Sequence, residues 1–142
     1  MKDSEKPVTV CSGIIEKDGK FLLVNAMRGV PKGLWNNPGG RIEEGEGLEE
    51  CAKREVKEET GYDAEIGKLV GVVIYKNKKR YIFEAKILRG KLSLQEGEIE
   101  KAEWFSLEEM KKLKNITIGT LQSAEDYMKK KYNQTYNVDV WP

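Results

Sequence analysis

Residues 39–62, GGRIEEGEGLEECAKREVKEETGY, combine a glycine-rich loop with one amphipathic helix. The sequence predicts a helix over residues 47–60 that stops before Gly61, because glycine is favoured just past a helix C-terminus. Successive side chains lie about 100° apart on such a helix, which brings several apolar residues onto one face. These residues are Leu48, Cys51, Ala52 and Val56. We expect this face to pack inward.

Three glutamates near the end of this helix occupy positions that helix physics disfavours. Glu55, Glu58 and Glu59 lie at i, i+3 and i+4, on the same side as the apolar residues. Glu58 and Glu59 also face the negative end of the helix dipole, at a cost of about 0.3–1 kcal/mol each. A divalent cation would reverse this cost, because hard cations such as Mg²⁺ take oxygen ligands. The alternative is a charged surface helix in a protein rich in Lys and Glu.

The spacing of the polar and glycine residues in this stretch resembles the signature of the Nudix hydrolases. The matching positions are Gly40, Glu46, Arg54, Glu55, Glu58, Glu59 and Gly61. Tyr62 departs from the pattern, since an aliphatic residue is more usual there. The flanking residues 34–39 and 103–106 are also similar to Nudix segments, so the resemblance spans most of the sequence.

This resemblance implies both a fold and a reaction. The fold is of the α/β class, a Nudix-type α/β/α sandwich with a mixed β-sheet. Residues 1–142 would form a single domain in which residues 1–6 are loose. The reaction is Mg²⁺-dependent cleavage, with Mn²⁺ as a substitute, of a phosphoanhydride bond in a nucleoside diphosphate-linked substrate. A nucleoside tri- or diphosphate and an ADP-ribose-like molecule both satisfy this description.

The resemblance also assigns a metal site and a catalytic base. Glu55, Glu58 and Glu59 would bind the metal, together with the backbone carbonyl at the position of Gly39. Either Glu55 or Glu58 would activate the water, and nothing in the sequence decides between them. A further carboxylate is expected from the loop of residues 94–101. We favour Glu98 over Glu96 and Glu100, because Gly97 would let the loop bend towards the site; a solvated acidic loop is the alternative.

Other residues of the signature would support these carboxylates. Arg54 is expected to orient them, and Glu46 to brace Arg54 or to approach the metal site indirectly. Gly40 allows the backbone to come close to whatever the helix carboxylates hold. Gly61 would end the helix.

Candidate substrate contacts lie outside the signature. Trp35 and Asn36 stand just before the glycines and could contact a base or sugar. Arg28 and Lys32 lie in the same loop and could meet terminal phosphates. Packing and loop roles are the alternative explanation for all four.

The composition narrows the class of protein. The chain of 142 residues has a net charge of +1, from 25 basic and 24 acidic residues, so no global field attracts it to nucleic acid or a membrane surface. It has no histidine, which excludes Ser-His-Asp and Cys-His catalysis. No apolar run of about 18 residues occurs. We therefore expect a soluble, cytoplasmic protein. The resemblance adds a small phosphorylated substrate, and it allows a homodimer because related folds often dimerise.

Four alternative functions follow from the same resemblance. Small phosphatase-type Nudix enzymes, which the chain loosely resembles, also act on thiamine-precursor pyrophosphate. A non-catalytic nucleotide-binding module would be expected to lack some of the glutamates, and all are present. Isoprenoid diphosphate isomerisation and RNA cap removal are disfavoured, the first by the lack of histidine and the second by the balanced charge.

Secondary structure elsewhere follows from local patterns. Residues 8–16 and 20–26 predict a hairpin, and residues 63–75 and 79–88 predict a second strand pair. Residues 102–105 predict a short strand. Ser106 and Glu109 form a capping-box pattern at the start of a helix, and residues 119–131 predict the last helix.

Overall fold

The computed structural model describes residues 6–27 and 33–142, which form nine strands and three helices. The strands are β1 Val8–Ile14, β2 Glu16–Lys17, β3 Lys20–Ala26, β4 Trp35–Asn36, β5 Gly39–Arg41, β6 Asp63–Tyr75, β7 Lys78–Arg89, β8 Ile99–Ser106 and β9 Gln134–Asn137. The helices are α1 Leu48–Thr60, α2 Leu107–Lys112 and α3 Thr120–Met128. Arg28 and Lys32, the predicted phosphate contacts, lie outside the described residues.

The strands are arranged in two sheets. The larger sheet has five strands in the order β5-β1-β7-β6-β9, with β1 parallel to β7 and β6 antiparallel to β7. The smaller sheet joins β2, β3, β4 and β8 through antiparallel pairs. The larger sheet is therefore mixed, as the α/β class predicted from the sequence requires.

The predicted hairpin of residues 8–16 with residues 20–26 is wrong in its first strand. Only Glu16 and Lys17 pair with β3, whereas β1 lies in the other sheet between β5 and β7. Residues 11–15 are all buried, which is typical of a strand covered on both faces. The partners of β1 are distant in sequence, so local turn signals could not reveal them.

The other elements follow the predictions with shifted ends. β6 and β7 form the predicted antiparallel pair. α2 has the predicted capping box, in which Ser106 Oγ accepts a hydrogen bond from the Glu109 N–H at 3.1 Å. β8 begins before the predicted strand, and α3 is shorter than the predicted helix. The sequence does not predict β9, which pairs in parallel with β6.

The larger sheet is covered on both faces. Helix α1 packs on one face, where Cys11, Cys51, Ala52 and Phe83 form a buried cluster. The main core lies on the other face and contains, among others, Ile14, Phe21, Val70, Val73 and Ile82. None of the helices in the described ranges has the length and apolar character needed to cross a membrane.

Candidate active site

Helix α1 carries the acidic residues and ends as the sequence predicts. Gly61 has a left-handed backbone with φ of 85°, and its N–H donates to the Lys57 carbonyl at 2.9 Å. Cys51, Ala52 and Val56 are completely buried. Because this face is fixed against the sheet, the glutamates that continue it are held close to β5.

The guanidinium of Arg54 connects the acidic side chains of the site. Its Nε and Nη2 donate to the two oxygens of Glu46 at 2.7 and 2.9 Å. Its Nη1 donates to Glu55 Oε1 at 2.7 Å and to Glu58 Oε2 at 3.2 Å. Nη2 also donates to the carbonyl of Arg41 at 3.1 Å, which ties the group to β5. Arg54 thus contacts the carboxylates that it was predicted to orient, and its catalytic role stays a prediction.

Glu46 braces Arg54 through both of its carboxylate oxygens. One of these oxygens also accepts a hydrogen bond from the Glu43 N–H at 3.0 Å. Charge-assisted hydrogen bonds favour the ionised form of a carboxylate. The Arg54 hydrogen bonds, followed by the Glu43 hydrogen bond, lower the pKa of Glu46 to about 2. Glu46 is therefore ionised at neutral pH.

We expect Glu46→Gln to lower the urea midpoint of unfolding by an amount that shrinks as the pH falls. The pKa of Glu46 is lowered from its ordinary value of 4.5, so its contribution to stability is present above that pH and is lost as the pH falls towards 2. Urea titrations of both proteins between about pH 7 and about pH 3 measure the difference. The exposed neighbour Glu44 provides the control variant, Glu44→Gln. A difference that does not change with pH would contradict the prediction.

Glu55 is nearly buried and lies directly against Gly40. Only 9% of its surface is exposed, and a Cβ atom placed on Gly40 would come within 2.5 Å of its carboxylate. Burial raises the pKa of Glu55, while the hydrogen bond from Arg54 opposes the rise. The missing side chain at Gly40 is what lets β5 approach this carboxylate. The predicted approach of Gly40 to a ligand of the carboxylates stays a prediction.

Gly40→Ala is therefore expected to lower turnover about 100-fold, because small misplacements of a catalytic group have effects of this size. The melting temperature should change little, because the atoms nearest the new Cβ belong to the end of the Glu55 side chain, which can move aside. Steady-state kinetics and thermal unfolding measure the two effects. Gly47→Ala is the control, because its Cβ would meet only the Glu50 carboxylate, at 3.1 Å. Unchanged turnover would show that the position of Glu55 does not matter.

Glu59 lies against the loop at Gly39. The Gly39 N–H donates to Glu59 Oε1 at 2.9 Å. Burial, as the largest cause, raises the pKa of Glu59 to about 8; the Gly39 hydrogen bond opposes the rise, and repulsion by Glu55, Glu58 and Glu98 adds to it. The role of Glu98 as a metal ligand stays a prediction.

The donor set of the site suits a hard divalent cation. Glu59 contacts the Gly39 N–H, Glu55 lies against Gly40, and Glu58 shares Arg54 with Glu55. Carboxylate oxygens are the ligands that Mg²⁺ prefers. Within residues 6–27 and 33–142, no three or more Asp, Glu or Cys side chains are arranged so that they could hold a metal ion together. The carboxylates instead accept hydrogen bonds from Arg54 and from the Gly39 N–H. A cation would have to replace some of these hydrogen bonds.

The structure distinguishes between Trp35 and Asn36, the two predicted substrate contacts that lie within the described residues. Trp35 is only 6% exposed, and its indole meets the ring of Phe105 edge to face at a centroid distance of 4.9 Å. This corrects its prediction as a substrate contact, because the indole is committed to the core. Asn36 is also buried, and its Oδ1 accepts from Thr117 Oγ1 at 3.0 Å. It borders a cavity next to Gly39 and therefore stays a candidate.

Two residues that the sequence analysis missed border the same cavity, namely Arg80 on β7 and Trp141. Arg80 is 1% exposed although it is charged. The available signal is its position: it shares a strand face with Ile82, a core residue, and a charge on an inward face is unusual. No local sequence pattern indicates that Trp141 reaches this cavity, because its position depends on the path of the C-terminal tail.

Comparison with known proteins places the chain in one family. The NUDIX domain matches residues 5–125, which is most of the sequence. The chain therefore belongs to the Nudix family, and the resemblance drawn from the spacing of the glutamates is confirmed.

Three relatives illustrate the range of this similarity. The chain is 36% identical over 115 residues to the ADP-ribose pyrophosphatase of Methanocaldococcus jannaschii, covering 75% of this chain and 66% of that protein. It is 34% identical over 97 residues to a putative 8-oxo-dGTP diphosphatase of Bacillus subtilis, covering 66% and 62%. It is 33% identical over 97 residues to the NAD-capped RNA hydrolase NudC of Pseudomonas aeruginosa, covering 67% and 34%. The chain thus matches between a third and two thirds of the length of each.

Solved structures confirm the mixed α/β fold. The MutT NUDIX hydrolase from Burkholderia pseudomallei aligns with a TM-score of 0.76 at 27% identity, covering 86% of this chain and 98% of that chain. A NUDIX hydrolase from Nitrosomonas europaea aligns with a TM-score of 0.75 at 30% identity, covering 90% and 93%.

Proposed function

We propose that the chain is a divalent-cation-dependent hydrolase of a phosphoanhydride bond in a nucleoside diphosphate derivative. The observation that carries this proposal is the Arg54 network, which holds Glu55 and Glu58 together beside Gly39 and Gly40. One guanidinium is shared among the three carboxylates of Glu46, Glu55 and Glu58, so negative charge is in excess there, and a divalent cation would neutralise it. The names of the relatives, a pyrophosphatase and a diphosphatase among them, support the same reaction class.

Four carboxylates and one backbone carbonyl would hold the cation. They are those of Glu55, Glu58, Glu59 and Glu98, with the carbonyl of Gly39. When bound, Mg²⁺, or Mn²⁺ in its place, supplies neutralisation of phosphate oxygens and lowers the pKa of water. Arg54 keeps Glu55 and Glu58 in position against their mutual repulsion.

One glutamate would accept the proton of the attacking water. The water oxygen bonds to phosphorus as the bond to the bridging oxygen breaks, and the leaving phosphate departs with the electron pair of that bond. Because the chain has no histidine, a carboxylate is the natural general base. Glu55 is held between Arg54 and Gly40, whereas the Glu58 side chain is 41% exposed and open to solvent. Both stay candidates for the general base.

Two other substrates are consistent with this reaction class. Small diphosphates such as thiamine-precursor pyrophosphate follow from the loose resemblance to phosphatase-type members. A NAD-capped RNA follows from the similarity to NudC, and the net charge of +1 is a weak argument against it because it ignores local charge. A cytoplasmic location stays a prediction from the sequence, which leaves open whether the chain forms a homodimer.

An end-product assay tests the proposal. The protein would be incubated with Mg²⁺ or Mn²⁺ and with ADP-ribose, nucleoside triphosphates, thiamine-precursor pyrophosphate and NAD-capped RNA. We expect cleavage between two phosphorus atoms of at least one substrate, and the products identify the bond that was cut. Binding of nucleotide without turnover of any substrate, by the protein and by Glu58→Gln alike, would support a non-catalytic module instead.

A further inference from the structure

Cys11 on β1 and Cys51 on α1 lie next to each other in the interior of the protein. Both thiols are free and completely buried, and the two residues belong to one buried cluster with Ala52 and Phe83. Cys11 is the strand partner of Gly40 on β5. The Sγ of Cys51 lies 3.6 Å from the carbonyl oxygen of the same glycine. Residues that are far apart in sequence thus meet beside Gly40.

The packing of β1 against α1 directs Cys11 towards the helix. Side chains two residues apart on a strand point to the same face, so Cys11 shares its face with Gly13. A Cβ atom placed on Gly13 would be 2.9 Å from Cγ2 of Val56, so this face of β1 meets α1. Two residues of strand and five residues of helix both span about 7 Å, which brings Cys11 level with Cys51.

The two thiols also interact directly. A hydrogen bond between them lowers the pKa of Cys11 and raises the pKa of Cys51, and it is the largest cause of both shifts. Cysteines that face each other at such short range can be joined by a disulfide without movement of the backbone. The pair therefore has the geometry that a disulfide requires, although it is reduced in the structure.

We propose that Cys11 and Cys51 are a modification site, at which a peroxide forms an intramolecular disulfide between β1 and α1. The sulfur of one thiol attacks a peroxide oxygen and loses its proton, the O–O bond breaks, and a sulfenic acid and one water result. The second thiol then attacks the sulfenic sulfur, and a second water leaves. In total, the two thiols give up two electrons and two protons, which reduce hydrogen peroxide to two waters.

The first turn of α1 gives a small oxidant access to the buried pair. Cys51 is the fourth residue of the helix, and its N–H donates to the carbonyl of Gly47 at 3.0 Å. Gly47 occupies the N-cap position and has no side chain to accept from the free N–H groups of this turn. Helix ends open at a lower free-energy cost than the centre of a fold. Local opening of this turn exposes Cys51 without unfolding the sheet.

The disulfide would stabilise the fold. It would close a loop of about 40 residues, which contains β2 to β5, and a constraint of that length lowers the entropy of the unfolded chain. The oxidised protein should therefore melt roughly 5–15 °C above the reduced protein. In a reducing compartment, disulfides of this kind are transient and respond to oxidants. The site would thus couple the stability of the region around Gly40 to the presence of peroxide.

The test treats the folded protein with hydrogen peroxide, unfolds it in iodoacetamide and maps its peptides by mass spectrometry. We expect two peptides joined through Cys11 and Cys51, with neither cysteine alkylated, and the return of both thiols after dithiothreitol. Thermal unfolding before and after treatment measures the stabilisation. Peroxide will also oxidise the exposed Met27 and Met128. Cys51→Ala, treated in the same way, is therefore the matched control, and its melting temperature should not rise.

Two alkylated cysteines after treatment would overturn the inference, as would disulfides between two chains in place of a bond within one. A linked parent that melts no higher than treated Cys51→Ala would overturn it too, because the bond would then strain the native packing. The peptide map needs no variant, so it is decisive even if Cys51→Ala does not fold. Neither measurement involves turnover, so a failure of the proposed hydrolase function would leave this inference intact.

Discussion

Glu55→Gln is expected to lower turnover about 100- to 10,000-fold, the range in which a general base contributes. The amide keeps the shape of the carboxylate but cannot take a proton from water and is a poorer ligand for a divalent cation. The fold should be retained, because burial raises the pKa of Glu55 and the removal of its charge costs little in a nearly buried position. Single-turnover kinetics and the melting temperature of the same preparation measure both effects.

The matched variant Glu58→Gln distinguishes the two candidate bases. If Glu55 is the base, a higher metal concentration should restore part of the turnover that Glu58→Gln loses. The turnover that Glu55→Gln loses should not return even at saturating metal. The reverse pattern would identify Glu58 as the base. Glu49→Gln, an exposed glutamate on the same helix, is the control. If both variants kept more than a tenth of the parent's turnover, neither glutamate would be the base.

Arg54→Met is expected to produce the largest loss of stability, about 2–3 kcal/mol. Its removal leaves the carboxylates of Glu46 and Glu55, whose side chains are each only 12% exposed, without their cation. Breaking a fully buried ion pair costs about 3–5 kcal/mol. The value here is lower because the Arg54 side chain is 22% exposed and water can partly replace it. For a chain of this size, the melting temperature should fall by roughly 5–10 °C.

Added Mg²⁺ should recover part of this loss, since a bound cation would neutralise the same carboxylates. Thermal unfolding with and without Mg²⁺ measures the recovery. Lys53→Met is the control, because Lys53 is an exposed cation adjacent to Arg54 on α1. Equal melting temperatures for Arg54→Met and Lys53→Met would show that the Arg54 network does not stabilise the fold.

Local patterns were sufficient wherever a feature depends on residues close in sequence. The limits of α1 follow from Gly61 and from the apolar face that includes Cys51 and Val56, and the structure has both. The capping box of Ser106 and Glu109 is local in the same way. The bond from Arg54 to Glu58 joins residues four apart on one helix, so spacing alone predicts it. The bond from Arg54 to Glu55 joins neighbouring residues and does not follow from spacing.

Features that join distant segments could not be obtained in this way. The predicted partner of β1 is wrong because strand pairing depends on the whole topology, and a nearby turn signal at residues 18–19 gave a plausible local alternative. Trp35 looked available to a substrate, yet Phe105 from β8 covers it. The contact of Arg80 with Trp141 joins a strand to the tail and leaves no local pattern.

The sequence by itself determined the helix, the acidic residues on it and the family to which the chain belongs. Side-chain spacing within one helix is fixed by backbone geometry, so these features need no knowledge of the remaining fold. Only the tertiary structure decided that Gly40 lies against Glu55, that Gly39 binds Glu59, and that a buried arginine lines a cavity on the other face of the sheet. Burial, and the pKa shifts that result from it, arise when distant segments exclude water from one another. No single segment contains that information.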